Sequence, residues 1–245
     1  MSDDFEKAVL FSFDQSGGVS EALRRQAQEV LSGVEASPDA WQLCLARLES
    51  SAYAEVRFWC LQTLNALARG PGYAALAPPA RAQIKRSLLG LGAAPPPAQL
   101  PPFLRNKLAQ AVVAVAAREF PEEWPTFFQD LLGTLASGPA AVDLFCRVLV
   151  AVDEDIISLD VPRSAEEARR SMHFKDAMRE RALADVADAW AAVVRGCSAA
   201  APEAAAAVLE AARRYVHWID ISLVANDVFV PLLFGVMESP HEGLR

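Results

Sequence analysis

The side chains with chemical potential in this 245-residue sequence are a run of three carboxylates, one basic tract, three histidines and four cysteines. Asp153-Glu154-Asp155 closes the strongly apolar stretch 144–152, so three like charges stand at a helix C-terminal end. They repel one another and the helix dipole there, and such a cluster belongs on a solvated end or opposite a basic partner surface. A divalent-metal site draws oxygen ligands from a dedicated loop or several elements, and no EF-hand spacing is present. A catalytic carboxylate pair is equally unsupported. Arg169, Arg170, Lys175, Arg179 and Arg181 form the densest basic tract, interleaved with Glu166, Glu167, Asp176 and Glu180. Most such runs are charge-laced solvent faces. This one is nonetheless the credible phosphate-contacting candidate, where cations fix register without reading sequence. His173, His217 and His241 lie apart, with no cysteine or acidic pair at ligand spacing, which argues against zinc. Cys44, Cys60, Cys146 and Cys197 contain no C-x-x-C, and three of them sit in apolar helical patterns. Buried free thiols in a reducing compartment are the expectation. No P-loop, G-x-G-x-x-G, G-x-S-x-G or H-E-x-x-H occurs. The residues point to no catalytic constellation, metal or cofactor.

The composition suits a partner-binding protein with a large core: 53% hydrophobic and 22% charged residues. A net charge of −8 argues against nucleic-acid binding by a diffuse cationic surface and favours a basic protein partner. The opening Ser2-Asp3-Asp4 is acidic and lacks the basic start of a secretory signal. Residues 87–104 are uncharged, but the prolines and glycines within them rule out a membrane-spanning helix.

Helical spacing positions these groups, and no stretch shows the period-two alternation of a strand. Leu104, Leu108, Ala111 and Val115 share one face of a helix over 103–118. Val56, Trp59, Cys60, Leu64 and Leu67 do the same over 53–69, and Trp41, Cys44, Leu45 and Leu48 over 39–48. Ser20 caps a helix over 21–35, Ser37-Pro38-Asp39 starts the next with proline in its first turn, and Gly70-Pro71-Gly72 ends another. Pro78-Pro79 precede a helix over 80–92, and 95–102 is a stiff proline-rich connector. Pro121 and Pro125 bracket a corner that holds Trp124, Gly138-Pro139 marks another, and Ser164 with Glu167 forms a capping box. In 215–233, Trp218, Ile221 and Leu223 supply apolar mass, while Asp220, Ser222, Asn226 and Asp227 supply capping oxygens. Second helices of successive pairs begin near residues 20, 53, 101, 140 and 202, an irregular spacing around that of HEAT-type repeats. The fold class is therefore all-α: a right-handed α-solenoid of about five irregular helical hairpins plus a partial one. A single hairpin cannot bury its apolar face, so the hairpins stack and leave a concave surface lined by second helices.

Several strings resemble the exportin-t family, the tRNA export receptors of the importin-β (karyopherin) superfamily. They are FLRNKLAQ (103–110), VDLFCRVLVAVD (142–153), SAEEARR (164–170), KDAMRE (175–180) and YVHWIDISLVAND (215–227). FPEEWPTFF (120–128) and VRFWCLQTLN (56–65) look like importin-β-type receptors in general, and 95–102 departs from the family pattern. The resemblance implies importin-β-like repeats in 1–94, a connector in 95–102 and exportin-1-like repeats in 103–245. Members are several times longer, so the chain is expected to be the amino-terminal part of a longer solenoid; a naturally short protein is the alternative. The resemblance further implies a receptor that binds tRNA cooperatively with the GTP form of the small GTPase Ran. It would pass nuclear pore proteins, shuttle between nucleus and cytoplasm, and make or break no bond. Candidate Ran contacts are Phe58, Gln62, Arg105, Asn106, Lys107, Asp153, Glu154 and Asp155. Candidate tRNA phosphate contacts are Arg169, Arg170, Lys175, Arg179 and Arg181. An exportin-like receptor for another cargo and a non-transport HEAT scaffold stay open; an enzyme is the weakest rival.

Overall fold

The computed structural model describes residues 4–94, 100–158, 162–197 and 201–238. Among them are twelve α-helices and no strand, the all-α class that helical spacing requires. The helices fall into two compact groups, residues 4–91 with 100–115 and residues 92–94 with 116–238. The calls on 95–99, Ser2-Asp3 and His241 lie outside the described residues.

In the first group, α1 (Asp4–Phe13) pairs with α2 (Glu21–Glu35), and α3 (Ala40–Ser50) pairs with α4 (Ala54–Arg69). The Ser20 hydroxyl accepts from the Leu23 N–H at 3.3 Å, so α2 starts where its cap places it. α1 lies against α4, where Phe5 meets Trp59 edge-on at 5.2 Å. Trp41, Cys44, Leu45 and Leu48 of α3 are all buried, as are Val56, Trp59, Cys60 and Leu64 of α4. α4 stops at Gly70, and α5 (Pro78–Ala93) and α6 (Pro102–Glu119) follow. Pro38 departs from expectation: it lies in the turn before the Asp39 cap, which makes no side-chain bond, and α3 begins only at Ala40. Pro78 and Pro79 sit inside the first turn of α5 rather than before it, where a missing N–H costs nothing.

In the second group, α7 (Phe127–Gly133) follows a corner over 120–126 with a cis Phe120–Pro121 bond. α8 (Pro139–Val152) runs into a single π-type turn, Asp153–Ile157. α9 (Ala165–Arg181), α10 (Leu183–Cys197) and α11 (Pro202–Tyr215) complete the larger helices, with α10 against α9 and α11, and α11 against α8. The Ser164–Glu167 capping box closes reciprocally at the start of α9. Tyr215, fully buried, donates its hydroxyl proton to the Leu149 carbonyl at 2.8 Å and joins α11 to α8. A short 3-10 turn, Ile221–Leu223, then leads to α12 (Phe229–Met237). Asp220 caps that turn, and the Asn226 side-chain oxygen Oδ1 accepts from the Val228 and Phe229 N–H groups at 3.0 and 2.8 Å. Ile221 is no apolar anchor: it is 57% exposed, because a one-turn helix turns that side chain outward.

One close approach yields a stability prediction. A Cβ on Gly92 would fall 2.2, 2.8 and 2.9 Å from three carbons of Leu144, itself buried. Gly92→Ala gains up to about 1 kcal/mol of helix propensity but overpacks this contact by about 1–3 kcal/mol. Net destabilisation in urea titration is the expected result.

Candidate functional site

The first group brings part of one candidate set together. Phe58 on α4 meets Phe13 of α1 at 5.9 Å and Phe103 of α6 at 6.2 Å between ring centroids. The Lys107 ammonium stands over the Phe58 ring, 5.6 Å from its centroid. Gln62 is exposed one helical turn beyond Phe58, and Asn106 is exposed on α6, while Arg105 and Lys107 are half-buried. α6 starts at Pro102, so Arg105 and Lys107 sit past the first three positions, where the dipole penalty has largely fallen away. The cation–π contact gives Lys107 a reason to be there without invoking a partner. Phe13 and Phe103 carry exposed ring area beside these polar groups, and helical spacing alone did not single them out.

The carboxylate run is arranged differently from its expectation as a solvated end. Arg214 of α11 reaches across to Asp153 at 3.4 Å and Glu154 at 3.1 Å, and also pairs with Glu210 at 3.4 Å. The Asp153 side chain retains 13% of its exposure, against 55% for Glu154. Like-charge repulsion is thus relieved inside the protein, by a cation 61 residues away in the chain. Arg163 donates to the backbone carbonyls of Asp155 and Ser158, tying down the end of the π-type turn.

The basic tract occupies α9, and each cation has its own setting. Arg170 faces Glu166 at 3.7 Å, and Arg179 pairs with Asp176 at 2.9 Å, the lacing expected of a helix surface. Lys175 and Arg179 both stand over Trp218, at 5.5 and 5.2 Å from its ring, and Arg179 also reaches the Trp218 carbonyl at 3.5 Å. KDAMRE and YVHWIDIS, 39 residues apart at this bond, therefore meet in space. Partial burial pulls the Lys175 ammonium below its ordinary pKa. Among the described residues, Arg169 and Arg181 make no ion pair and are exposed. His173, isolated in the sequence, has its Nε2 2.5 Å from the Glu122 carboxylate of the 120–126 corner. That hydrogen bond holds the Glu122 carboxyl below its usual range.

Aromatic packing sets this register. Phe174 of α9 is buried at 4.9 Å from Phe120 and 6.0 Å from Phe128. The Trp124 indole N–H donates to Asp130 at 2.7 Å, and Thr126 donates to the same carboxylate at 3.0 Å, which fixes the corner.

Neither thiols nor metal ligands add chemistry here. Burial pushes the Cys146 thiol up to about 12, and the neighbouring Cys44 thiol together with burial raises Cys60 further. Both stay protonated near neutral pH and are poor nucleophiles. Among the described residues, no three His, Cys, Asp or Glu side chains gather to hold a metal ion, and no helix is long and apolar enough to cross a membrane.

Residues 101–242 match the model of the family described as exportin 1-like protein. The chain is 37% identical over 245 residues to Exportin-T of Arabidopsis thaliana and 42% identical over 243 residues to Exportin-T of Oryza sativa subsp. japonica, each match covering 97% of this chain. It is 34% identical over 218 residues, 87% of its length, to Exportin-T of Homo sapiens. The chain spans about a quarter of the length of these relatives: 25%, 25% and 23%.

Proposed function

Because the chain belongs to the exportin 1-like family, we propose that it acts in nuclear export of tRNA, binding this cargo together with Ran-GTP. In this reading it shuttles between nucleus and cytoplasm through contacts with nuclear pore proteins and catalyses nothing itself. The observation that supports the cargo most is the α9 surface. Its cations are set in register by Phe174 and Trp218, and Arg169 and Arg181 stand exposed on the same helix. Phosphates need such fixed cations, and local placement matters more than the net charge of −8. Asp153 is largely buried against Arg214, so its share in contacting a basic partner is small beside that of Glu154, whose side chain keeps 55% of its exposure.

On the GTPase side, Phe58 with Gln62, Arg105, Asn106 and Lys107 forms a mixed aromatic and polar surface on α4 and α6. Arg105→Glu combined with Lys107→Glu is expected to weaken Ran-GTP binding by about ten-fold or more, as loss of a few charge contacts should. Titration calorimetry on the double variant, with circular dichroism to show unchanged helicity, measures this; unaltered affinity removes these residues from the surface.

An exportin-like receptor for a basic protein cargo is the second reading, favoured by the net charge and by the acidic residues that lace α9. Competition between tRNA and a basic protein for the chain in the presence of Ran-GTP separates the two.

A further inference from the structure

We propose that Glu122 is a specificity-determining residue of the α9 surface: its carboxylate occupies His173, so a phosphate ligand seated there must first displace it. The proposal rests on reading α9 as the phosphate-contacting element.

The geometry carries it. Glu122 lies in a corner held by the Trp124–Asp130 bond at 2.7 Å and by the Phe120–Phe174 ring contact at 4.9 Å. Phe174 is the sequence neighbour of His173, so the packing that seats α9 also places His173 under Glu122, at 2.5 Å. Exposed ion pairs are ordinarily weakened by the freedom of two long side chains. Here the corner and α9 are packed together through Phe120 and Phe174, so the contact depends less on side-chain freedom. His173 and Glu122 remain 59% and 63% exposed, so an incoming anion can reach and replace the contact.

An internal carboxylate discriminates by the extent of the ligand. A small anion that expels Glu122 gains little more than it loses. An extended polyanion that also reaches Arg169, Arg170 and Arg181 sets several contacts against one. Glu122 thus biases α9 toward long, structured polyphosphates and against short or single phosphates.

The test uses Glu122→Gln in the full chain, with Glu180→Gln as a variant that removes the same charge from an exposed position of α9. tRNA and a short single-stranded oligonucleotide are the probes, in the presence of Ran-GTP, across a salt series. Glu122→Gln is expected to tighten both, by about two- to five-fold at low salt, with the larger gain on the short probe. The electrostatic gain should shrink as salt is raised, because the substitution removes one carboxylate that repels phosphate. Equal effects of Glu122→Gln and Glu180→Gln reduce Glu122 to general charge and overturn the proposal. The Arg169→Glu/Arg181→Glu variant separates the two levels of failure. If it weakens tRNA binding while Glu122→Gln changes nothing, the discrimination proposal falls and the α9 reading stands. If neither variant changes binding, both fall.

Discussion

Phe174→Ala is expected to destabilise the second helical group by about 3–5 kcal/mol, the usual cost of emptying a closed aromatic site. Phe174 is 2% exposed and meets the rings of Phe120 and Phe128, so its removal leaves a cavity that the corner over 120–126 cannot refill. The effect extends beyond stability. The same ring sets the register of α9 against the corner, so the Glu122–His173 contact should loosen and tRNA binding should weaken even where the variant remains folded. Urea denaturation followed by circular dichroism gives the first quantity. Phe174→Leu, which keeps most of the volume, should cost much less and retain binding.

The largest functional effect is expected from reversing charge at Arg169 and Arg181. Replacing both by glutamate should lower tRNA affinity by about 10–100-fold at low salt and reduce the salt slope by roughly two. Among the described residues, both are exposed cations without an ion-pair partner, so reversal breaks no salt bridge. Lys175→Glu and Arg179→Glu mix two causes by comparison, since each also removes a cation from the face of Trp218. A filter-binding or fluorescence titration over a salt series reads both the affinity and the slope.

Local chemistry made much of the fold legible in advance. Caps are decided within four residues, so Ser20 and the Ser164–Glu167 box mark the starts of α2 and α9 in the sequence as they do in the structure. Apolar periodicity likewise identified the buried faces of α3, α4 and α6, because helical burial repeats every turn. Pro38 misled because a proline is equally at home in the turn before a cap as in the first helical turn.

The site was less legible, and for one physical reason: its decisive contacts join residues far apart in sequence. Arg214 reaches Asp153 across 61 residues, Glu122 meets His173 across 51, and Arg179 reaches the Trp218 carbonyl across 39. No spacing rule on a single helix encodes such pairings. The basic tract and the tryptophan string each stand out in composition, but only the packing of α9 joins them, through Lys175 and Arg179 over Trp218. The carboxylate run shows the converse: three adjacent acids read as a free patch until the arginine that neutralises the first two is located on α11.

The most direct test measures tRNA affinity for this chain with Ran bound to GTP and again with Ran bound to GDP. Coupled binding predicts at least about five-fold tighter tRNA binding with the GTP form, with an equal gain in Ran-GTP affinity when tRNA is present. Identical tRNA affinity with the two nucleotide forms would contradict the proposed cooperative receptor.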